Sequence, residues 1–158
     1  MKHSHEHQNH SMKSPYMQLA MMTCVHLAIM YVAMFAMINR GTYFYNNTNM
    51  FYMAVLMAAP VTLFMLISMR RMYPNQKLNL AICIAFALLT IASYGAIRGQ
   101  AGVGDKQFLR AMIPHHSGAI LMCREAKITD REISGLCKDI IDSQQSEIDQ
   151  MEGILKRL

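Results

Sequence analysis

The sequence has no tryptophan, and only 16% of its 158 residues are charged. Its four cysteines are divided between apolar and polar segments, so they do not form a secreted disulfide framework. The net charge of +5 is scattered, without the basic patch and interleaved aromatic residues that a nucleic acid requires. The chain is instead rich in apolar residues (53%), including 17 methionines. This composition lies between that of a soluble domain and that of a membrane span.

Three stretches without a charged side chain are each long enough to cross a bilayer, which takes about 20 apolar residues. They cover residues 17–38, 50–69 and 78–97. The sequence therefore predicts an all-α integral membrane protein with the bilayer as a partner. The predicted division is a flexible His-rich tail (1–14), a membrane region (15–98), a glycine linker (99–104) and an antiparallel helical hairpin (105–158).

The basic residues near the spans predict the orientation. Arg70, Arg71 and Lys77 lie together between the second and third spans, whereas the first loop carries only Arg40. Cytoplasmic loops carry an excess of Lys and Arg. We therefore expect a bacterial cytoplasmic (inner) membrane protein whose N-terminus is cytoplasmic and whose C-terminal hairpin is periplasmic.

The hairpin is predicted from its helix signals. Asp105 can cap a helix that runs to about Lys127, and the capping box from Thr129 to Glu132 opens a second helix that reaches Leu158. Below roughly 70 residues one hydrophobic core seldom suffices. We therefore expect the hairpin to dimerise or form a higher homo-oligomer, to dock on the membrane region, or to be clipped by a metal.

One face of the first hairpin helix carries methionine and histidine among apolar residues. Its members recur at three- and four-residue steps, with His116 at the edge: Phe108, Met112, His115, Ala119, Met122, Cys123 and Ala126. The stripe predicted to be buried on the second helix is Ile133, Leu136, Cys137, Ile140, Gln144, Glu147, Ile148, Met151, Ile154 and Leu158. Folding the hairpin about residue 130 places Met112 opposite Ile148, within a turn of Met151.

The same fold places His115 and His116 opposite Gln145 and Gln144, with Glu147 beside the histidines. A carboxylate or amide on an apolar stripe is costly unless it is paired, and such groups often orient metal-binding imidazoles. Neutral imidazoles and thioethers suit Cu(I) or Ag(I). The alternative is a solvated histidine pair beside Pro114 and a core of ordinary methionines.

Cys123 and Cys137 lie at equal distances from the predicted turn. They are compatible with a disulfide, with extra thiolate ligands, or with two small buried residues. The last of these, in which the two thiols only pack together, is the preferred interpretation of the sequence. Two weaker metal sites are also predicted. The tail carries His3, His5, His7 and His10, and the first span places His26 on one face with Met22, Met30 and Met37.

A family resemblance rests on the pattern from Asp105 through Phe108, Met112, Pro114, His115, His116 and Ala119 to Met122, and on Gln145, Glu147, Ile148 and Met151. This pattern resembles the family known as domain of unknown function 305, which includes copper-binding CopM-like proteins. The resemblance implies a ferritin-like helical fold, half of a bundle here, and periplasmic copper or silver binding for some members. The metal ligands that it implies are Met112, His115, His116, Met122 and Met151.

The function predicted from the sequence is a membrane-anchored protein that binds Cu(I), or Ag(I), in metal homeostasis or resistance. It would sequester the ion, or exchange it with a protein that donates or accepts the metal. It would not be an enzyme. The alternative is a structural or stress-related membrane module that dimerises through the hairpin without metal.

Overall fold

The computed structural model describes residues 15–158, in which every regular element is a helix and no strand is present. The all-α fold class is therefore confirmed. Two short 3₁₀ turns, Gly41–Tyr43 and Arg70–Met72, lie in the connections between the first three helices. The helices are α1 (Pro15–Ala33), α2 (Thr48–Ser68), α3 (Gln76–Gly99), α4 (Asp105–Glu125) and α5 (Arg131–Arg157).

The helices α1, α2 and α3 are long and apolar enough to cross a membrane. The central one is α2, which packs against both α1 and α3 and is the most buried of the three. Its buried surface is built from small residues, including Ala54, Ala58 and Ala59, which allow close approach of helix backbones. The hydroxyls of Thr23 and Thr62 hydrogen-bond between α1 and α2 at 3.1 Å. The three predicted spans are thus present as helices.

The first span is shorter than predicted, because the helix ends at Ala33 and not at residue 38. Residues 34–37 form turns instead. Phe35 is buried there, and its ring lies 4.0 Å, centroid to centroid, from the ring of Phe44. This aromatic contact draws the chain away from the helix axis and into the loop that follows.

The N-terminus of α5 also differs from the prediction. The capping residue is Asp130, whose carboxylate accepts hydrogen bonds from the backbone N–H groups of Glu132 (2.9 Å) and Ile133 (3.0 Å). The predicted capping box would have placed Thr129 in this role. A carboxylate at this position also interacts favourably with the helix dipole, which gives Asp130 an advantage over a neutral hydroxyl.

The core of the hairpin contains a residue from outside the hairpin. Ile113, Ile120 and Ile148 are completely buried between α4 and α5, and Tyr43 from the α1–α2 connection is buried among them. We call residues 34–47 the docking loop. Of the possibilities expected for a hairpin of this size, docking on the membrane region is the one that the structure shows within a single chain.

Hydrogen bonds hold the docking loop on the hairpin. Gln145 Nε2 donates to the Tyr43 hydroxyl (3.1 Å), and the Tyr45 hydroxyl donates to Glu152 Oε1 (3.1 Å). Burial, together with the neighbouring Glu152 carboxylate, raises the pKa of Tyr45, so this phenol remains a donor at neutral pH. On α4, Ser117 Oγ accepts from a backbone N–H of the docking loop at 2.6 Å.

Pro114 lies inside α4 and cannot donate to the carbonyl of Arg110, one turn earlier. Asn47 Nδ2 donates to that carbonyl at 3.3 Å. The same side chain caps α2, since its Oδ1 accepts from the N–H of Met50 at 2.9 Å. One buried asparagine therefore satisfies the proline-induced gap in α4 and fixes the start of α2 next to it.

Candidate metal site on the hairpin

Only part of the two faces predicted to meet between α4 and α5 does so, and the rest is turned outward. The contact between the helices is formed by Ile113, Ile120 and Ile148. The exposed fractions are 50–58% for these residues of the predicted stripes: Phe108, Met122, Ile133, Leu136 and Leu158. The physical reason is that the docking loop covers part of the hairpin, so α4 turns to bury Ile113 and Ile120, while Ile148 and Met151 of the predicted α5 stripe remain buried.

The outward face is continuous across both helices. On α4 the residues Phe108, His115 and Met122 are seven positions apart and so lie almost in line, away from Ser117, which bonds the docking loop. On α5 the corresponding residues are Ile133, Leu136, Ile140 and Glu147, which are spaced three, four and seven positions apart. We call this surface the free face, and it consists of Phe108, His115, Met122, Ile133, Leu136, Ile140 and Glu147.

The charged contact predicted at the histidines is present. Nδ1 of His116 lies 2.9 Å from Oε2 of Glu147, with the His116 side chain 12% exposed and that of Glu147 49% exposed. The distance suits a hydrogen bond, but the Nδ1 atom is not aligned with a partner as one. The contact is therefore a close polar pairing whose geometry can still adjust. The sequence correctly placed Glu147 beside the histidine pair.

The other predicted ligands divide into two groups. Met112 and Met151 pack on the hairpin core next to Ile148, as predicted, and Met151 is only 9% exposed. The exposed side chains are those of His115 and Met122. The ring centroids of His115 and His116 are 6.0 Å apart. One chain thus brings His116 and Glu147 together and leaves His115 and Met122 on the free face.

The predicted amide partners, Gln144 and Gln145, do not bond to the histidines, whereas the carboxylate of Glu147 lies against His116. Gln145 Nε2 is committed to Tyr43 and to Asp149 Oδ1 (2.9 Å). Across residues 15–158, no hydrogen bond joins Gln144 or Gln145 to a histidine. The same range also holds no group of three or more His, Cys, Asp or Glu side chains that could bind a metal ion. A site here would therefore need methionine sulfur, a second chain, or both.

Cys123 and Cys137 form a disulfide, with their Cα atoms 5.2 Å apart. The interpretation preferred from the sequence, two packed thiols, is wrong, and thiolate ligation is excluded while the bond is intact. Their equal distance from the turn brings the two residues face to face at the end of the hairpin. The remaining cysteines, Cys24 and Cys83, are free and lie in the membrane-length helices.

The predicted intramembrane stripe does not assemble on one buried face. His26 and Met30 are half-buried, but Met22 (49%) and Met37 (50%) are exposed. The reason is that α1 contacts α2 along a narrow strip, and Met37 lies beyond the end of α1. The Nε2 atom of His26 is buried without a hydrogen-bond partner in the described part of the chain. The tail residues His3, His5, His7 and His10 lie outside the described residues.

The residues that sequence reasoning missed belong to the docking loop. Tyr43 and Tyr45 lie near the ends of predicted spans, where tyrosine is common in any case, so their residue type alone does not predict a contact with the hairpin. The two tyrosines are separated by one residue and lie next to a polar loop. This pattern was a usable signal of a tertiary contact, since the two hydroxyls reach Gln145 and Glu152 on α5. Pairing them with the hairpin required knowledge of the tertiary fold.

The fold and the site together define a class of protein with three membrane-length helices and a C-terminal helical hairpin. Residues 91–155 match the family described as "Domain of unknown function (DUF305)". An uncharacterized protein of Acanthamoeba polyphaga mimivirus is 40% identical over 111 residues, which are 69% of this chain and 71% of that protein. No solved structure is significantly similar to the chain. The chain belongs to the DUF305 family, with its family domain C-terminal to apolar helices.

Proposed function

We propose that the chain is a membrane-anchored protein that binds Cu(I), or Ag(I), on its hairpin and sequesters the ion or hands it on to another protein. The proposal assigns the chain no enzymatic activity. The observation that carries it is the pairing of His116 with Glu147 at 2.9 Å, next to the methionine side chains of Met112 and Met151.

The chemistry of these side chains favours a soft monovalent ion. Thioether sulfur and neutral imidazole suit Cu(I), whereas structural zinc sites are built mostly from thiolates and imidazoles. A carboxylate at Nδ1 of His116 leaves Nε2 as the nitrogen directed at a metal, which is the usual arrangement for metal-bound histidine. Because Nδ1 is buried and not yet aligned in a hydrogen bond, the ring can adjust when Nε2 takes up an ion.

A competition titration tests this proposal on the full chain. Under anaerobic conditions, against a chromophoric Cu(I) chelator, we expect stoichiometric Cu(I) binding that Ag(I) displaces and excess Zn(II) does not. The four tail histidines are replaced by Asn in every sample, so that the tail does not contribute to the binding measured. Absence of binding, or equal competition by Zn(II), would contradict the proposal.

A second copy of the chain would complete the site. The free face exposes large apolar side chains on both helices, among them Phe108, Met122 and Leu136. Two such hairpins packed through this face make a four-helix bundle and bring His115 and Met122 from each chain into the interface. Anchoring in a membrane raises the local concentration of copies and so favours this pairing.

The dimer predicts a specific response to charge on the free face. Leu136 is 58% exposed, so Leu136→Glu leaves the monomer core intact but buries a carboxylate in the paired form. We expect this variant to be monomeric in detergent by light scattering with the detergent mass subtracted. Ser146→Glu, at an exposed position away from the free face, is the matched control and keeps the wild-type mass. Equal masses for the two variants would rule out this interface.

Two independent features support a hairpin on the outer side of a bacterial inner membrane. Arg70, Arg71 and Lys77 lie at the end of the helices opposite the docking loop, which favours a cytoplasmic position for that end. The Cys123–Cys137 disulfide belongs to an oxidising compartment such as the periplasm. Both features lead to the same orientation, with the N-terminus in the cytoplasm.

The disulfide allows the orientation to be measured. In intact spheroplasts expressing the Cys24→Ala/Cys83→Ala variant, a membrane-impermeant maleimide is expected to label Cys123 and Cys137 only after an impermeant reductant is added. A disulfide that closes a loop of about 15 residues contributes about 3 kcal/mol, so reduction should also lower the thermal stability of the hairpin. Labelling only after the membrane is permeabilised would contradict the proposed orientation, whereas labelling without reductant would contradict the disulfide.

A further inference from the structure

A cavity at the hairpin end of the membrane helices is amphipathic. Its volume is about 540 Å³, and it lies between α1, the start of α2 and the first turns of α4. Leu27, Ala28 and Phe51 line its apolar part, and Gln107 and Arg110 from α4 line its polar mouth. None of these residues belongs to the candidate metal site.

Arg110 is a half-buried cation at this mouth. Within residues 15–158, no carboxylate lies within 4.0 Å of its guanidinium. The single charged pair in that range joins His116 to Glu147. Its backbone carbonyl is engaged by Asn47, but its side chain takes part in none of the hydrogen bonds of the described residues. A partly buried cation without a partner loses some of its hydration, so this position favours an anionic ligand.

The surroundings of Arg110 reinforce this preference. The cavity also contacts Thr48, the first residue of α2, and the N-terminus of a helix carries partial positive charge. Tyr31 donates a hydrogen bond to Asn46, and both residues line the cavity. The polar mouth is therefore cationic, and it opens where lipid headgroups would lie.

The apolar part runs along the membrane helix. Along α1 the cavity lining runs from Tyr31 back to Cys24, seven residues or about 10 Å at 1.5 Å per residue. That length corresponds to roughly a third of a bilayer's hydrocarbon thickness. A soluble phosphate ion would fill only the mouth, whereas an acyl chain would also fill the part lined by Leu27, Ala28 and Phe51.

We infer that this cavity binds one anionic phospholipid, with its phosphate on Arg110 and an acyl chain along α1. Such a lipid would lie under the docking loop and hold the hairpin against the membrane surface. This role is separate from metal binding, since the residues of the two sites do not overlap.

Native mass spectrometry of the full chain tests the inference. After reconstitution in phosphatidylcholine nanodiscs with a minor fraction of phosphatidylglycerol, the wild-type chain is expected to retain one phosphatidylglycerol on release. Arg110→Gln should lower this retention about tenfold, the loss expected for a charge-assisted hydrogen bond. Arg98→Gln, an exposed cation at the end of α3 on the same side, is the matched control and should retain the lipid.

A second variant probes the acyl chain and is independent of charge. Ala28→Phe fills the apolar part of the cavity and should also reduce retention, while its far-UV circular dichroism matches that of the wild type. Three outcomes would overturn the inference: equal retention by Arg110→Gln and Arg98→Gln, equal retention of phosphatidylcholine, or full displacement of the lipid by millimolar inorganic phosphate. The last outcome would indicate a site for the free ion.

Discussion

Replacing Met112, His115 and His116 together by Ala is expected to lower the Cu(I) affinity of the full chain by about a thousandfold, since even groups that only orient a ligand contribute ten- to a hundredfold. His116 is the ligand held by Glu147, and Met112 lies beside it on the core. Removing all three takes away both imidazoles of α4 and the thioether that packs on the hairpin core. The measurement is the anaerobic competition titration, with the tail histidines replaced by Asn.

A volume-conserving variant separates lost ligation from lost folding. Met112→Leu/His115→Asn/His116→Asn removes the ligand atoms but keeps side chains of similar size, so the core around Ile148 remains filled. We expect it to bind Cu(I) as weakly as the alanine variant and to unfold, without metal, close to the wild-type temperature. Wild-type affinity in this variant would mean that the metal binds elsewhere.

Tyr43→Ala is expected to release the hairpin from the membrane region, because Tyr43 is the residue of the docking loop that enters the hairpin core. Truncating a buried aromatic side chain costs about 3–5 kcal/mol. That loss is large compared with the few hydrogen bonds that otherwise join the two parts. Hydrogen exchange of the α4 and α5 amides should therefore accelerate strongly, while exchange in α2 and α3 remains slow.

Tyr43→Phe is the matched control for this prediction. It keeps the buried ring and removes only the hydroxyl that accepts from Gln145 Nε2. The expected cost is about 1–2 kcal/mol, so exchange in the hairpin should change little. If Tyr43→Ala and Tyr43→Phe gave the same exchange rates, the packing of the ring would not be what holds the docking loop on the hairpin.

The sequence was sufficient for the parts of the fold that depend on local pattern. Uncharged length predicted the three membrane-length helices, and helical periodicity predicted α4 and α5, although the predicted caps Asp105 and Thr129 are wrong and the N-caps are Gly104 and Asp130. The fold-back about residue 130 also placed Glu147 next to His116 and Met112 next to Ile148 and Met151, because the register of a short antiparallel hairpin follows from its turn.

The sequence was insufficient where a distant segment competes for the same surface. Periodicity defined an apolar face on each hairpin helix but not what would cover it, and the docking loop displaced the predicted contact toward Ile113 and Ile120. Asp130 and Thr129 are adjacent candidates for the N-cap of α5, and the sequence pattern did not decide between them. The pairing of Cys123 with Cys137 depended on how closely the two helices approach near the turn.

The rotation of the helices changes how the candidate site is understood. If the predicted stripes had met inside one hairpin, His115 and Met122 would have been enclosed by a single chain. They lie instead on the free face, exposed together with Phe108 and Leu136. The methionine and histidine pattern therefore fits a surface that pairs with a second copy, and metal binding and dimerisation should strengthen each other.

The ligand set of the bound ion is the central claim, and X-ray absorption at the copper edge measures it most directly. The sample is the full chain loaded anaerobically with one equivalent of Cu(I) and with the tail histidines replaced by Asn. The account predicts both sulfur and imidazole nitrogen in the first coordination shell, and loss of the sulfur contribution in Met112→Leu/Met122→Leu/Met151→Leu. A shell with nitrogen and oxygen alone in the wild-type chain would contradict it.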